Sequence, residues 1–190
     1  MSALAREDIL AKVRKGESLA GLDLSNADLS YENLKNVSFA GANLSRAHLQ
    51  NSNLENADLQ GANLEGAFLF GCNLLGASFE GANLVETNLQ DTNLDGANLS
   101  GASMHHVALL GSTLEGANLS NADLTRARMK RATLKNARLD HARLVNAHLE
   151  RSDLTGASFV GADLTEASLT NAKMDGTNLD GAILKDVIGL

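Results

Sequence analysis

The chain has 190 residues, enough for one domain, with 44% apolar residues, 21% charged residues and a formal net charge of −7. It contains no Pro, no Trp and only 3% aromatic residues, which excludes a broad globular core built on large rings. The single cysteine, Cys72, excludes an internal disulfide framework, and no apolar run approaches the ~20 residues of a membrane helix.

The first residues, Met-Ser-Ala-Leu-Ala-Arg-Glu-Asp, lack the basic-then-apolar order of a secretory signal. A cytoplasmic address is therefore expected, although a signal read by a dedicated secretion system would leave no such mark. Residues 3–15 read as a short helix: Ser2 can N-cap it, Ile9, Leu10 and Val13 share one face, and Gly16 stops it. Residues 1–20 are then a capping helix and lead-in, and residues 21–190 a second, repetitive region.

From Leu24 to Leu184 every fifth residue is Leu, Phe or Met, 33 times without a slip, and the residue two places earlier is Ala in 22 of those units. A period of five fits neither helix nor ordinary strand and marks a solenoid. The unit reads small, polar, centre, any, Gly-or-Asn, as in Ala42-Asn43-Leu44-Ser45-Arg46 and Ala62-Asn63-Leu64-Glu65-Gly66. Small residue and centre lie two apart, so in an extended segment both point inward while the polar residue between them points out. Of 17 glycines, 15 occupy the fifth position and Asn takes eight more, as a type II turn requires where φ is positive. Four such turns close a square, so twenty residues make one coil and the chain makes about eight, a rod of roughly 40 Å at the ~4.8 Å spacing of strands. The absence of Pro agrees, because each coil should hydrogen-bond to the next. Cys72 stands in the small phase and reads as a buried filler.

These units resemble the pentapeptide repeat family, written A-(D/N)-L-x-x, over about Leu22 to Ile188. The resemblance implies an all-β fold, a right-handed quadrilateral β-helix of about eight coils behind the capping helix. It does not imply one function, since the family includes DNA mimics that protect gyrase, secreted effectors and many proteins of unknown role. Gyrase-protecting relatives dimerise through their C-terminal ends, with more sequence than this chain has after Leu184. The apolar tail here, Val187-Ile188-Gly189-Leu190, points to self-capping or to a homodimer through the C-terminal end.

Several residues depart from the pattern. Glu32 occupies an inward position, where an isolated carboxylate is costly; either that coil is irregular, or Arg6, Lys12 or Arg14 pairs with it. His105 and His106 are adjacent and diverge, with no third ligand a coil away, so they read as surface residues. Asp28, Asp58, Asp123, Asp153 and Asp163 stand beside centres, where their carboxylates can bond the turn backbone. Without a lid-forming insertion or a nucleophile–base spacing, the sequence predicts no catalytic residue, no metal and no cofactor.

Charge is banded. Residues 21–125 hold 12 acids against two bases, residues 126–151 eight bases against two acids, and residues 152–190 six acids against two bases. The face whose centres are Leu29, Leu49, Leu69, Leu89, Leu109, Met129, Leu149 and Leu169 departs most from consensus. Its outward positions include Tyr31, His48, Phe68, Phe70, Leu110, Arg128, Lys130, Arg131, His148 and Arg151. Exposed aromatics beside an Arg/Lys cluster are ingredients of a protein interface. The leading expectation is a non-enzymatic interaction module or scaffold that uses this face. A DNA mimic acting on gyrase or another DNA-binding protein is the alternative, opposed by the basic band, which puts cations where a mimic needs carboxylates. A secretion-associated role is a further alternative. Direct nucleic-acid binding is disfavoured because the basic band is small and flanked by acidic coils.

Overall fold

The computed structural model describes residues 4–190. Its helix, α1, spans Arg6–Arg14. Ser2 lies outside the described residues; the N-cap position is taken by Ala5, in an extended conformation and without a side-chain cap. Acidic Glu7 and Asp8 in the first turn and basic Lys12 and Arg14 in the last suit the helix dipole. The helix ends as the sequence suggests. Gly16 has a φ of 70°, its N–H bonds Val13 O, and Glu17 N–H reaches back to Lys12 O at 3.0 Å, the two bonds of a Schellman motif. Ile9 and Leu10 are buried, and Val13 is partly buried against the first coils.

Beyond α1 the chain winds as a right-handed quadrilateral β-helix. Parallel bridges join residues twenty apart without interruption, from Asp23↔Asn43 to Ser168↔Ile188. Four faces result. Face 1 carries the centres Leu24, Leu44 and onward, face 2 begins at Leu29, face 3 at Leu34 and face 4 at Phe39. Centres and small residues fill one continuous core, with the larger rings of Phe39, Phe79 and Phe159 inside face 4. Burying each Leu is worth about 1.5–3 kcal/mol, and the repetition turns that into the cohesion of the rod.

One unit shows how each backbone donor is satisfied. Asn43 N–H bonds back to Leu22 O, Leu44 N–H forward to Asn63 O, Arg46 N–H forward to Glu65 O, and Ala47 N–H closes the turn on Leu44 O. The fifth donor, Ser45 N–H, is taken by the side chain of Asn43 at 3.2 Å. Asn and Asp are favoured beside the centre for this reason: they accept the one N–H that neither neighbouring coil reaches. Every turn has its second central residue at positive φ, whether it is Gly61 at 62° or Arg46 at 55°.

The corner between faces 2 and 3 has its own inner lining. Small positions that are Ala elsewhere are here Ser52, Cys72, Thr92, Ser112 and Ser152, all buried. Their hydroxyls bond core-side carbonyls, Ser52 and Leu29 O at 2.8 Å, Ser112 and Leu89 O at 2.6 Å. Cys72 Sγ lies 2.9 Å from Leu49 O, and burial pushes its thiol up to about 12, so it is an inert filler. Glu32 heads this column. Its coil keeps register, and its carboxylate meets Arg6 Nη2 at 2.6 Å, so of the three cations the sequence offered, Arg6 of α1 is the partner.

Candidate interaction face

Alternation along each unit puts both flanks of a centre outside, and all ten residues singled out on face 2 are exposed. They form two outward columns and one turn column. The column before the centres runs His48, Phe68, Asn88, Ala108, Arg128, His148, each bridged to the next. The column after them holds Phe70, Leu110 and Lys130, and the turn column holds Tyr31, Arg131 and Arg151. Phe68 and Phe70 are 38% and 39% exposed and Leu110 40%, which confirms that their side chains do not join the core. The His48 and Phe68 rings stack at 4.9 Å. Tyr31, at 74% exposure, lies two coils from Phe70, at the α1 end of the face.

Face 2 also lacks the ladders that run along its neighbours. On face 1, Asn83, Asn63, Asn43 and Asp23 are linked side chain to side chain at 2.9, 3.3 and 3.0 Å. On face 3, Asn73 bonds Asn53, and Asn53 bonds Asn33. Phe68, Ala108 and Arg128 can join no such ladder, and they cannot accept the N–H of the residue after the centre. Over residues 25–180, two of eight such donors lack an acceptor among the described residues on each of faces 1, 3 and 4 (His105 and Val145; Lys135 and Asp175; Glu80 and Asp140). Face 2 has five: those of Gln50, Phe70, Leu110, Lys130 and Thr170, while Ser30 and Gln90 are served by Asp28 and Asn88 and Glu150 N–H meets its own carboxylate. Elsewhere a neighbouring coil can step in. Asp95 accepts Glu115 N–H at 2.8 Å where Thr113 does not, and Asp140 accepts Val160 N–H at 3.2 Å where Ser158 does not.

The basic band sorts by face in the same way. Lys135 reaches Asp153 at 3.7 Å, Arg138 reaches Asp140 at 3.5 Å and Arg143 reaches Asp123 at 3.8 Å, on faces 3, 4 and 1. Arg128, Lys130, Arg131 and Arg151 on face 2, with Arg126 on the preceding turn, have no carboxylate at salt-bridge distance among the described residues. Arg131 and Arg151 hold left-handed backbone, φ 60° and 59°, at turn positions that Gly or Asn fills more cheaply. They are also stacked one coil apart, so like charges repel.

Between Leu110 and the Arg128/Lys130 pair lies a depression of about 300 Å³, lined also by Gln90, Ala108, His148 and Glu150. Ala108 is the shortest residue in its column and forms the floor, buried to 3% exposure. Glu150, the one carboxylate of the wall, is engaged by His148 Nδ1 at 3.4 Å. Burial raises its pKa, but hydrogen bonds from its own backbone, Ser168 and His148 bring it below the ordinary range.

Family profiles cover this geometry from end to end. "Pentapeptide repeats (8 copies)" matches residues 18–56, 38–76, 134–171 and 147–186, and "Pentapeptide repeat region" matches residues 69–139. The chain belongs to the pentapeptide repeat family. Among solved structures, this pentapeptide repeat protein is similar to HetL, involved in heterocyst differentiation regulation in the cyanobacterium Nostoc sp. strain PCC 7120. The two are 30% identical over 99% of this chain and 95% of HetL, with a TM-score of 0.67. QnrB1, a plasmid-mediated fluoroquinolone resistance protein, is 19% identical over 78% of this chain and 91% of its own, with a TM-score of 0.41. Rfr23, from the cyanobacterium Cyanothece 51142, is 32% identical over 54% of this chain and 64% of its own, with a TM-score of 0.29. No curated protein matches.

Other residues named from the sequence lie elsewhere on the same rod. The five aspartates beside centres accept turn N–H groups, from Thr165 N–H to Asp163 at 3.0 Å to Thr155 N–H to Asp153 at 3.2 Å. His105 Nε2 lies 3.2 Å from Asp123, and no group of three or more His, Cys, Asp or Glu among the described residues is placed to hold a metal. No helix among the described residues is long and apolar enough to cross a membrane. Sequence reasoning missed the inner hydroxyl column and the unserved donors of face 2. Both depend on which side chains the stacked coils set beside each carbonyl and N–H.

Proposed function

We propose that this pentapeptide repeat protein is a non-enzymatic protein-interaction module whose rod presents face 2 to a protein partner. The observation that carries this reading is the coincidence, on one face of four, of exposed Phe68, Phe70 and Leu110 with cations that have no carboxylate at salt-bridge distance among the described residues. Apolar anchors beside Arg are what protein interfaces concentrate in their cores. On each remaining face most of the N–H groups after the centres are received by side chains of the rod itself. HetL's part in regulating differentiation supports a binding role in kind, without naming a partner. The reading divides the chain into a cap at 1–20 and a binding rod at 21–190, and places it in the cytoplasm. It includes a homodimer through the C-terminal coil, supported by the exposure of Ile183, Leu184, Ile188 and Leu190.

A Phe68→Ser, Phe70→Ser double variant tests the face. It should keep the circular dichroism, melting behaviour and oligomeric state of the parent and lose the proteins that co-purify with it. Unchanged partner recovery would remove face 2 from the account. The acidic residues of the 21–125 band, net charge −10, favour a second reading as a DNA mimic acting on gyrase. Under the leading reading the purified protein leaves gyrase supercoiling unaffected at micromolar concentration; inhibition at sub-micromolar concentration would put the mimic first.

A further inference from the structure

Face 2 carries the means to recognise a particular kind of partner. Along the rod, the N–H after each centre is ordinarily received by a carboxylate or amide oxygen beside that centre, as Asp163 receives Thr165 N–H at 3.0 Å. At Ala108 the chain supplies no such oxygen, and Leu110 N–H has no acceptor among the described residues. Arg128 supplies none one coil on, and Lys130 N–H is likewise without an acceptor. Beside these two donors stand the Arg128 and Lys130 side chains, without carboxylate partners among the described residues, and the methyl-lined floor of Ala108 and Leu110. The combination of open N–H donors, flanking cations and a short apolar floor is complementary to the side chain of a glutamate or aspartate. Its methylenes would cover Ala108 and its oxygens would take the position that Asp163 Oδ1 has over Thr165.

We propose that the Ala108 depression binds a carboxylate side chain from an extended acidic segment of a partner protein, which runs along face 2. The occupant is a polypeptide because the open donors and cations recur at coil spacing, from Leu110 through Lys130 to Arg131 and Arg151, so that one extended chain can engage several at once. The site is also shallow, which suits a chain lying across it better than an enclosed small molecule. Strained left-handed arginines stacked on one another gain a compensating anion only on binding. This deepens the interaction-face reading and rests on it.

The test uses the full chain, 15N-labelled, and a blocked peptide of alternating Glu and Leu as probe. A Gln-for-Glu peptide, sodium glutarate and a short DNA duplex are the controls. The expected result is saturable movement of the Leu110 and Lys130 amide resonances by the acidic peptide, weakened as salt rises, with no saturable movement by the Gln peptide. The decisive variant is Ala108→Asn, which gives Leu110 N–H an internal acceptor of the kind the rod uses elsewhere. It should melt no lower than the parent and bind the acidic peptide about tenfold or more weakly, the loss of a charge-assisted bond. The proposal is overturned if the acidic peptide leaves these amides unmoved, or if Ala108→Asn binds as the parent does. Equal binding of glutarate overturns the polypeptide occupant, and tighter binding of duplex DNA at these amides overturns it in favour of nucleic acid. If the peptide fails while Phe68→Ser, Phe70→Ser still abolishes partner recovery, the interface stands and its acidic chemistry falls.

Discussion

Faces 1 and 2 share an interior and differ in everything outside it. On both, the centres from Leu24 to Leu169 are fully buried and coil-to-coil backbone bonds run at 2.6–3.2 Å. On face 1 the outward side chains close upon the rod, Asp23 to Asn83 in a ladder, each accepting a turn N–H. On face 2 they turn away, leaving rings, cations and donors directed at solvent. A solenoid thus separates two jobs within each five-residue unit. The small residue, the centre and the turn hold the coil, and the residue beside the centre is free to vary once its neighbours carry the stability.

Substitutions at the centres should be largest in effect and the same on both faces. Leu44→Ala on face 1 and Leu109→Ala on face 2 should each cost about 2–5 kcal/mol in denaturant titration, because the stacked coils cannot collapse into the void. A cost at Leu109 far below that at Leu44 would mean that the interior is not shared. Next in size is Asn63→Ala on face 1, which removes the acceptor of Glu65 N–H at 3.2 Å and the acceptor of Asn83 Nδ2 at 2.9 Å. It should cost about 1–2 kcal/mol. Phe68→Ala, its counterpart on face 2, should stay under ~1 kcal/mol, since a half-exposed ring loses little beyond its stack on His48. Reversing that order would contradict the division of labour.

Acid sharpens the contrast further. Thr155 hydroxyl and N–H groups, together with Lys135 and Lys173, hold the Asp153 carboxyl below the usual range, against a smaller contribution from burial. Thr165 does the same for Asp163, with Arg143 adding to it. A folded pKa below the unfolded value of ~3.9 stabilises the fold fully above that value, and the gain is lost as pH falls through the folded pKa. Melting temperature should therefore drop below about pH 4. The drop should be smaller in an Asp153→Asn, Asp163→Asn variant; an identical acid profile would show that these turns are not held by their carboxylates.

Much of this was legible in the sequence. The period of five gives the inward Leu and Ala, and the Gly/Asn phase gives the turns, because both depend on local geometry that repeats. Glu32 could be recognised as needing a cation, but which one depended on where α1 docks, and α1 begins later than Ser2 suggested. Asp95 reads as a plain surface residue in its own unit, whose replacement costs under ~0.5 kcal/mol, yet it serves Glu115 in the next coil, so the cost should be about 0.5–1.5 kcal/mol. The open donors of face 2 escaped for the same reason: whether an N–H is served depends on side chains twenty residues away as well as two.

The central claim is that face 2 leaves its backbone donors free for a partner, and amide hydrogen exchange measures that directly. Glu65 and Thr165 N–H, each received by a side chain of the rod, should exchange about tenfold or more slowly than Leu110 and Lys130 N–H, after correction for intrinsic rates. Coil-to-coil donors such as Leu109 N–H should be protected on every face. Equal exchange of Leu110, Lys130, Glu65 and Thr165 would mean that face 2 serves its own backbone as the other faces do, and would contradict the account.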